Sequence, residues 1–504
     1  MHGSQYRAQK VTVMKKLLLL GIAIVGIALL YRAAKPNAPV VLHSKLPTEA
    51  AAKALLNSTH RHREWVSVAN VRAFIVYPER SDKAPVVILS AGKQGASDWI
   101  RAVADQAAAE GFIAVVPDVL SGLGPDGGDS NDFANPADMA VAFDRLGRDE
   151  ILLRTNAVRD YAIVLPAANG KSASLEFAAD GVQAAVAGRS ASFRVADAEW
   201  SQAVSFLVKQ TGDKPVLGEN LNVPEDHSMH IGMMMGQTVN DKKGGRPRGY
   251  PVGKLPDLPA GIFNAHNVVT NSMLRKEFVD IPFGSGKLHT WVEYPEGDGK
   301  APIVIVMQHG PGMDDWQRAL ADQLALQGFI AIAADLHSGL GPNGGNYDSF
   351  QGTDDVMRAN ARLTADDMFN RYKAARDWGM KLPRANGKSA SIGFCMGGGN
   401  SFRFASEIPD LNAAVVFYGT PANQEMLAKI KAPVLAFYGD DDARVTATMA
   451  PTETAMKAAG KSFEAHSYPH GTHGFLEYQD LGGNPTATSD SWARTIAFLK
   501  EHTK

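Results

Sequence analysis

The chain has 504 residues and one cysteine, Cys395. A single thiol cannot close a disulfide within the chain and cannot form a cysteine-rich zinc site. Packing must therefore hold the fold. Charge of one sign is also lacking: 51 basic and 53 acidic residues leave a formal net charge of −2. That balance gives no general pull toward nucleic acid or an acidic membrane surface, and no nucleic-acid partner is expected. Long apolar runs are scarce. Leu17 to Leu30 falls short of the roughly 20 residues of a membrane span. Lys15 and Lys16 precede it and Arg32 follows, so it reads as a secretory signal or an uncleaved anchor, with the residues up to about Val13 as an upstream extension and Met14 as the expected true start. Ala33 and Ala34 come after Tyr31 and Arg32 and do not make a small-x-small cleavage pattern. Residues 1–35 are thus expected to be a signal peptide or membrane anchor, with the domains exported, periplasmic or membrane-anchored outside the cytoplasm. The rest is globular in composition, 45% hydrophobic and 21% charged, and long enough for two domains.

The chain repeats itself. The stretch starting at Ala84 (APVVILSAGKQG…GFIAVVPDVLSGLGPDGG) matches the stretch starting at Ala301 (APIVIVMQHGPG…GFIAIAADLHSGLGPNGG). The offset, 217 from 301 minus 84, still holds between Asn169 and Asn386 and between Tyr77 and Tyr294. A repeat this long is a whole domain present twice. In each copy short β-branched runs, Val86–Leu89 with Phe112–Val116 and Ile303–Met307 with Phe329–Ala333, alternate with helical segments, Ala102–Glu110 and Ala319–Gln327. The glycines Gly111 and Gly328 stop those helices. This alternation predicts, in each copy, a doubly wound, mostly parallel α/β sheet with ligands at the carboxyl ends of its strands. The expected division is 42–215 for the first domain, 216–270 for a Pro/Gly/Met-rich completion and linker, and 271–504 for the catalytic domain. Within the linker, His227, His230 and the neighbouring methionines have soft-metal ligand chemistry, but no cysteine or second cluster supports it. A Met-rich core or lid segment is the alternative.

Gly393-Phe-Cys395-Met-Gly397 lies between a strand ending at Ile392 and a helical stretch at Asn400. A Gly-x-Cys-x-Gly turn of this kind projects a nucleophile above the sheet, and the helix amino terminus favours the thiolate. The Met396 N–H then points at a developing oxyanion. A nucleophile needs a base, and the base an orienting acid, in the chain order nucleophile, acid, histidine. Asp440, Asp441 and Asp442 follow the strand that ends at Gly439, and each meets the acid position. His470 and His473 lie in the loop after the strand-like run Phe463–Tyr468, and His473, between Thr472 and Gly474, fits the base better.

These residues resemble the dienelactone hydrolase family over about 275–504. The elbow is matched by Gly393-Phe-Cys395-Met-Gly-Gly398, the acid motif Gly-x-x-Asp-x-x-Val by Gly439-Asp-Asp-Asp442-Ala-Arg-Val445, and the His-Gly-Phe motif by His473-Gly-Phe475. The resemblance implies two tandem α/β-hydrolase domains and a Cys395, Asp442, His473 triad, with backbone N–H groups of Met396 and Gly310 as the oxyanion hole and no metal or organic cofactor. Two departures stand out. The family's glutamate after the first core strand is replaced by His309, a substrate-pocket candidate with a structural or water-binding role as its alternative. The family's arginine after the histidine is missing from Gly474-Phe-Leu-Glu477.

The first copy has lost these groups. Position 395 falls on Ala178 and position 393 on Glu176. Gly188-Arg-Ser190-Ala-Ser192 has the outline of a displaced serine elbow, but Ser192 stands where glycine is needed. The first domain is read as a non-catalytic copy. The chain as a whole is expected to cleave a small ester or lactone, through an acyl-enzyme. The rival readings are a scaffold without turnover, or a cysteine peptidase or acyltransferase on the same fold.

Overall fold

The computed structural model describes residues 45–90, 92–177, 191–194, 200–212, 258–479 and 484–504. The apolar run at 17–30, the His227/His230 segment, Ala178 and Ser190 lie outside them. No helix among the described residues is long and apolar enough to cross a membrane. The described residues all belong to one compact unit.

The first half builds a six-stranded sheet from β1 (Arg63–Val68), β2 (Val71–Val76), β3 (Ala84–Ser90), β4 (Ile113–Asp118), β5 (Ala168–Glu176) and β6 (Ala191–Arg194), in the order β1-β2-β4-β3-β5-β6. The second half builds β7 (Lys276–Phe283), β8 (Gly286–Glu293), β9 (Ala301–Met307), β10 (Ile330–Ala334), β11 (Ala385–Phe394), β12 (Ala413–Phe417), β13 (Val434–Gly439) and β14 (Phe463–Tyr468). Its order is β14-β13-β12-β11-β9-β10-β8-β7. From β10 outward to β14 the pairs are parallel, while the β7, β8 edge is antiparallel. Strand for strand the first sheet repeats the second through β12, and stops. Among the described residues it has no counterpart of β13 and β14, the two strands that deliver the predicted acid and base.

The central strands are apolar along both faces, because helices cover each side: Val304, Ile305, Val306 and Ile392 are fully buried. The crossover helix Asp315–Leu326 starts where the Asp314 side chain accepts the Gln317 N–H and ends before Gly328, whose φ of 97° suits only glycine. The helix Ile262–Asn271 falls within the span read as completion of the first domain and linker. It packs instead on the second half: Ile262 and Ala265 join that core, and the Ile262 N–H donates to the Glu477 carbonyl at 2.9 Å.

The two halves are bound by a buried ion pair. The Arg101 guanidinium sits 2.6 Å from the Asp354 carboxylate, with both side chains fully enclosed. Lys53 adds a contact to Asp355 at 2.6 Å, and the Asn57 side chain accepts the Asp354 N–H. Burial opposes ionisation of Asp354, but Arg101 more than offsets it and holds the carboxyl well below its ordinary range.

Candidate active site

The carboxyl ends of β9, β11, β13 and β14 converge, and each carries one of the predicted groups. Cys395 follows β11 directly and caps the helix Met396–Glu407 at φ 54°, ψ −115°. This strained turn exists because its neighbours are glycines. A Cβ on Gly393 would lie 1.9 Å from the Gly397 carbonyl oxygen, and one on Gly397 would lie 2.2 Å from that of Met307. The helix begins at Met396, four residues before the stretch read as helical, which brings its amino terminus against the thiol.

Asp442 follows β13. Its carboxylate accepts from His473 Nδ1 at 2.5 Å, with both side chains buried. The other acids serve elsewhere. Asp440 accepts from Ser467, and the exposed His470 lies 3.9 Å from Asp441. Cys395 and His473 fall within one cluster, where the thiol and an imidazole nitrogen lie less than 4.8 Å apart. Burial opposes charge on both. The proximity of His473, Arg444 and the Met396 N–H nevertheless lowers the thiol, while Cys395 and Asp442 raise the His473 imidazole to about 10. The ground state this favours is a thiolate beside an imidazolium.

Gly310 lies three residues past β9, whose Met307 pairs with Gly393 two residues before the thiol, so the loop and the elbow share one end of the sheet. Gly310 is tightly placed: its carbonyl accepts from Asn360 at 2.6 Å, and an added Cβ would meet the Met357 sulfur at 2.7 Å.

His309, the substrate-pocket candidate, is not a free group. It is buried between two carboxylates, Glu477 at 3.0 Å and Asp314 at 3.2 Å, with its ring 4.9 Å from that of Trp316. Burial would discharge it, but the two carboxylates raise it well above an ordinary histidine. The two departures in sequence therefore meet in space. The histidine at the glutamate's place pairs with Glu477, just past the histidine motif, where no arginine stands.

Several groups around the thiol have no local signature. Tyr418, at φ 39°, lies buried with its ring 5.1 Å from His473. The Arg444 guanidinium sits inside the acid motif as one of its variable positions and stacks over Tyr77 at 5.2 Å. His62 and Tyr77 come from the first half; Tyr77 is shared with the second copy as Tyr294, and only His62 differs from its counterpart. His62, Cys395 and His473 are the one group of three among the described residues with ligand atoms close enough to hold a metal ion.

The sequence pattern of the dienelactone hydrolase family matches residues 71–175 and 288–503, in both halves. A relative from Saccharolobus solfataricus is 34% identical over 139 residues, covering 27% of this chain and 51% of its own length. The carboxymethylenebutenolidase of Pseudomonas sp. strain P51 is 28% identical over 228 residues, 43% of this chain and 91% of that protein. The dienelactone hydrolase structure from Anabaena variabilis, at 20% identity and a TM-score of 0.37, covers 46% of this chain and all of its own. The match extends over more than half of the chain, and the protein belongs to the dienelactone hydrolase family, as a tandem duplication.

Proposed function

We propose that the second half hydrolyses a small ester or lactone through covalent catalysis by Cys395. The observation that carries this is the hydrogen bond from His473 Nδ1 to Asp442 beside a thiol whose ionisation is favoured. The thiolate adds to the carbonyl carbon, and the resulting oxyanion is held by backbone N–H groups of Met396 and Gly310. Collapse breaks the acyl–oxygen bond, and the leaving alkoxide takes the proton from the His473 imidazolium. For a lactone that alcohol stays tethered to the acyl group. His473, oriented by Asp442, then takes a proton from water, whose oxygen attacks the thioester and releases the carboxylic acid and the thiolate. No step calls for a metal or organic cofactor.

The likeness to a carboxymethylenebutenolidase supports a lactone among the substrates. The His309–Glu477 pair narrows this, since it places no free cation after the histidine motif to receive a substrate carboxylate. The test is turnover of chromogenic short-chain esters and small lactones by the parent, Cys395→Ser and His473→Ala. Turnover by the parent alone supports the reading; inactivity throughout, or variants equal to the parent, overturns it. The basic-flanked run at 17–30 supports export or amino-terminal anchoring, and fractionation of the full chain into soluble periplasmic and membrane material tests that.

A further inference from the structure

The segment before β1 crosses from the first half to the thiol of the second. His62 Nδ1 lies 3.6 Å from Cys395 Sγ, within the longer reach of a hydrogen bond to sulfur. Its ring centroid is 4.5 Å from that of His473 and 5.3 Å from that of Tyr77. His62 Nε2 is enclosed and has no hydrogen-bond partner among the described residues. The surrounding backbone fixes this approach. The Ala443 N–H, next to Asp442, donates to the Arg80 carbonyl at 3.2 Å, and Arg80 and Asp442 form a parallel bridge between the halves. Arg444 covers the Tyr77 ring, and His60 lies 5.7 Å from the Tyr478 ring.

The duplication shows that the fold does not require a histidine here. The Tyr77 N–H donates to the His62 carbonyl at 2.9 Å, and the Tyr294 N–H donates to that of Arg275 at 2.9 Å. His62 and Arg275 therefore hold one strand position, each resting against the tyrosine that follows the next strand. In the second half the residue is an exposed cation, with 66% of the Arg275 side chain accessible. In the first half it is a half-buried imidazole with Nδ1 against the other half's sulfur.

We propose that the first half is a component of the second half's active site, in which His62 donates its Nδ1–H to the Cys395 thiolate as a second catalytic imidazole. This rests on the hydrolase reading and extends it: the degenerate copy lost its own nucleophile and completes that of its twin. A neutral imidazole has one proton to give, and His62 is kept neutral. Burial comes first, and the positive charges of Arg444, His473 and Arg63 act in the same direction, lowering it well below an ordinary histidine. The charged or titratable groups facing the ring are these three with Tyr77 and Cys395.

The protein's only cysteine is the group in question, so thiol alkylation reads it without ambiguity. The full chain would be treated with iodoacetamide across a pH series, and ester turnover measured in parallel, for the parent, His62→Ala, His62→Phe and His62→Gln. Phenylalanine keeps a ring against Tyr77 and His473 but donates nothing; glutamine keeps a donor. Loss of one hydrogen bond to a charged sulfur predicts an alkylation midpoint shifted to higher pH and kcat lower by roughly 10- to 100-fold in the alanine and phenylalanine variants, with KM little changed. His62→Gln should recover part of both. A parent-like alkylation profile and kcat in His62→Phe overturns the proposal, as does faster turnover, which would make His62 a gate. A parent that turns over no ester or lactone brings down the hydrolase reading itself, a result distinct from either.

Discussion

The Arg101–Asp354 pair offers the most direct test of whether the halves are one machine. Both side chains are fully enclosed, so removing either leaves a charge that water cannot reach, a change that typically costs about 3–5 kcal/mol. The structure ranks the two deletions. In Asp354→Asn, Arg101 keeps its contact to Asp98 at 2.5 Å and its Nε donation to the Ala96 carbonyl, so the loss should lie near the lower end, about 3 kcal/mol. In Arg101→Met, Asp354 keeps Lys53 at 3.4 Å and the more distant charge of Arg63, and the guanidinium's stacking on Trp65 and Phe74 is also lost, so a loss toward the upper end, about 5 kcal/mol, is expected. Combining Arg101→Met with Asp354→Asn should cost clearly less than the sum of the singles, because no orphaned charge of the pair remains. Urea titration of the four proteins measures these differences. Turnover should fall with stability, since this interface also holds His62 and Arg80 in place. The acid limb follows from the same carboxyl. Its folded pKa lies below its ordinary 3.8, so its contribution is fully present above 3.8 and is lost as pH falls toward the folded value. Single variants within about 0.5 kcal/mol of the parent, or a strictly additive double variant, would refute the reasoning.

Asp442→Asn should fold like the parent yet lose kcat on the order of 10³–10⁴-fold, by the logic of a misoriented imidazole; parent-like kcat would show that another acid serves. Gly397→Ala drives a Cβ to 2.2 Å from the Met307 carbonyl oxygen, so both the thermal midpoint and turnover should drop, and a variant that melts and reacts like the parent would show that the turn is looser than it looks. The His473 imidazole, raised from 6.5 to about 10, contributes stability that is complete below pH 6.5 and is lost as pH rises through 10. The stability gap between the parent and His473→Asn should close across that interval, and a gap independent of pH would contradict the assignment.

The duplication, the alternation of strand and helix and the elbow were all legible in the chain, because each is local. Hydrophobic period, glycine placement and a constant offset are properties of neighbouring residues. The strand Phe463–Tyr468 was read with the bounds it has, and the elbow needed only its glycines and its position after a strand. Three aspartates in a row were not separable by pattern, and neither were His470 and His473. Burial and direction chose among them: Asp442 turns inward to His473, while Asp440 turns to Ser467 and His470 stays in solvent.

Short-range order in the chain carries the fold of each half, the glycine-flanked turn at Cys395 and the loops that hold Asp442 and His473. What lies between distant segments depends on how the packed elements meet. His309 appeared in the sequence as a lone substitution and is half of an ion pair with Glu477, 168 positions later. His62 carried no motif and lies 333 positions from the sulfur it approaches. Contacts at such separations are set by how two packed sheets meet, and no local pattern encodes that meeting; the candidate site of the second half is bordered by His62 and Tyr77 of the first.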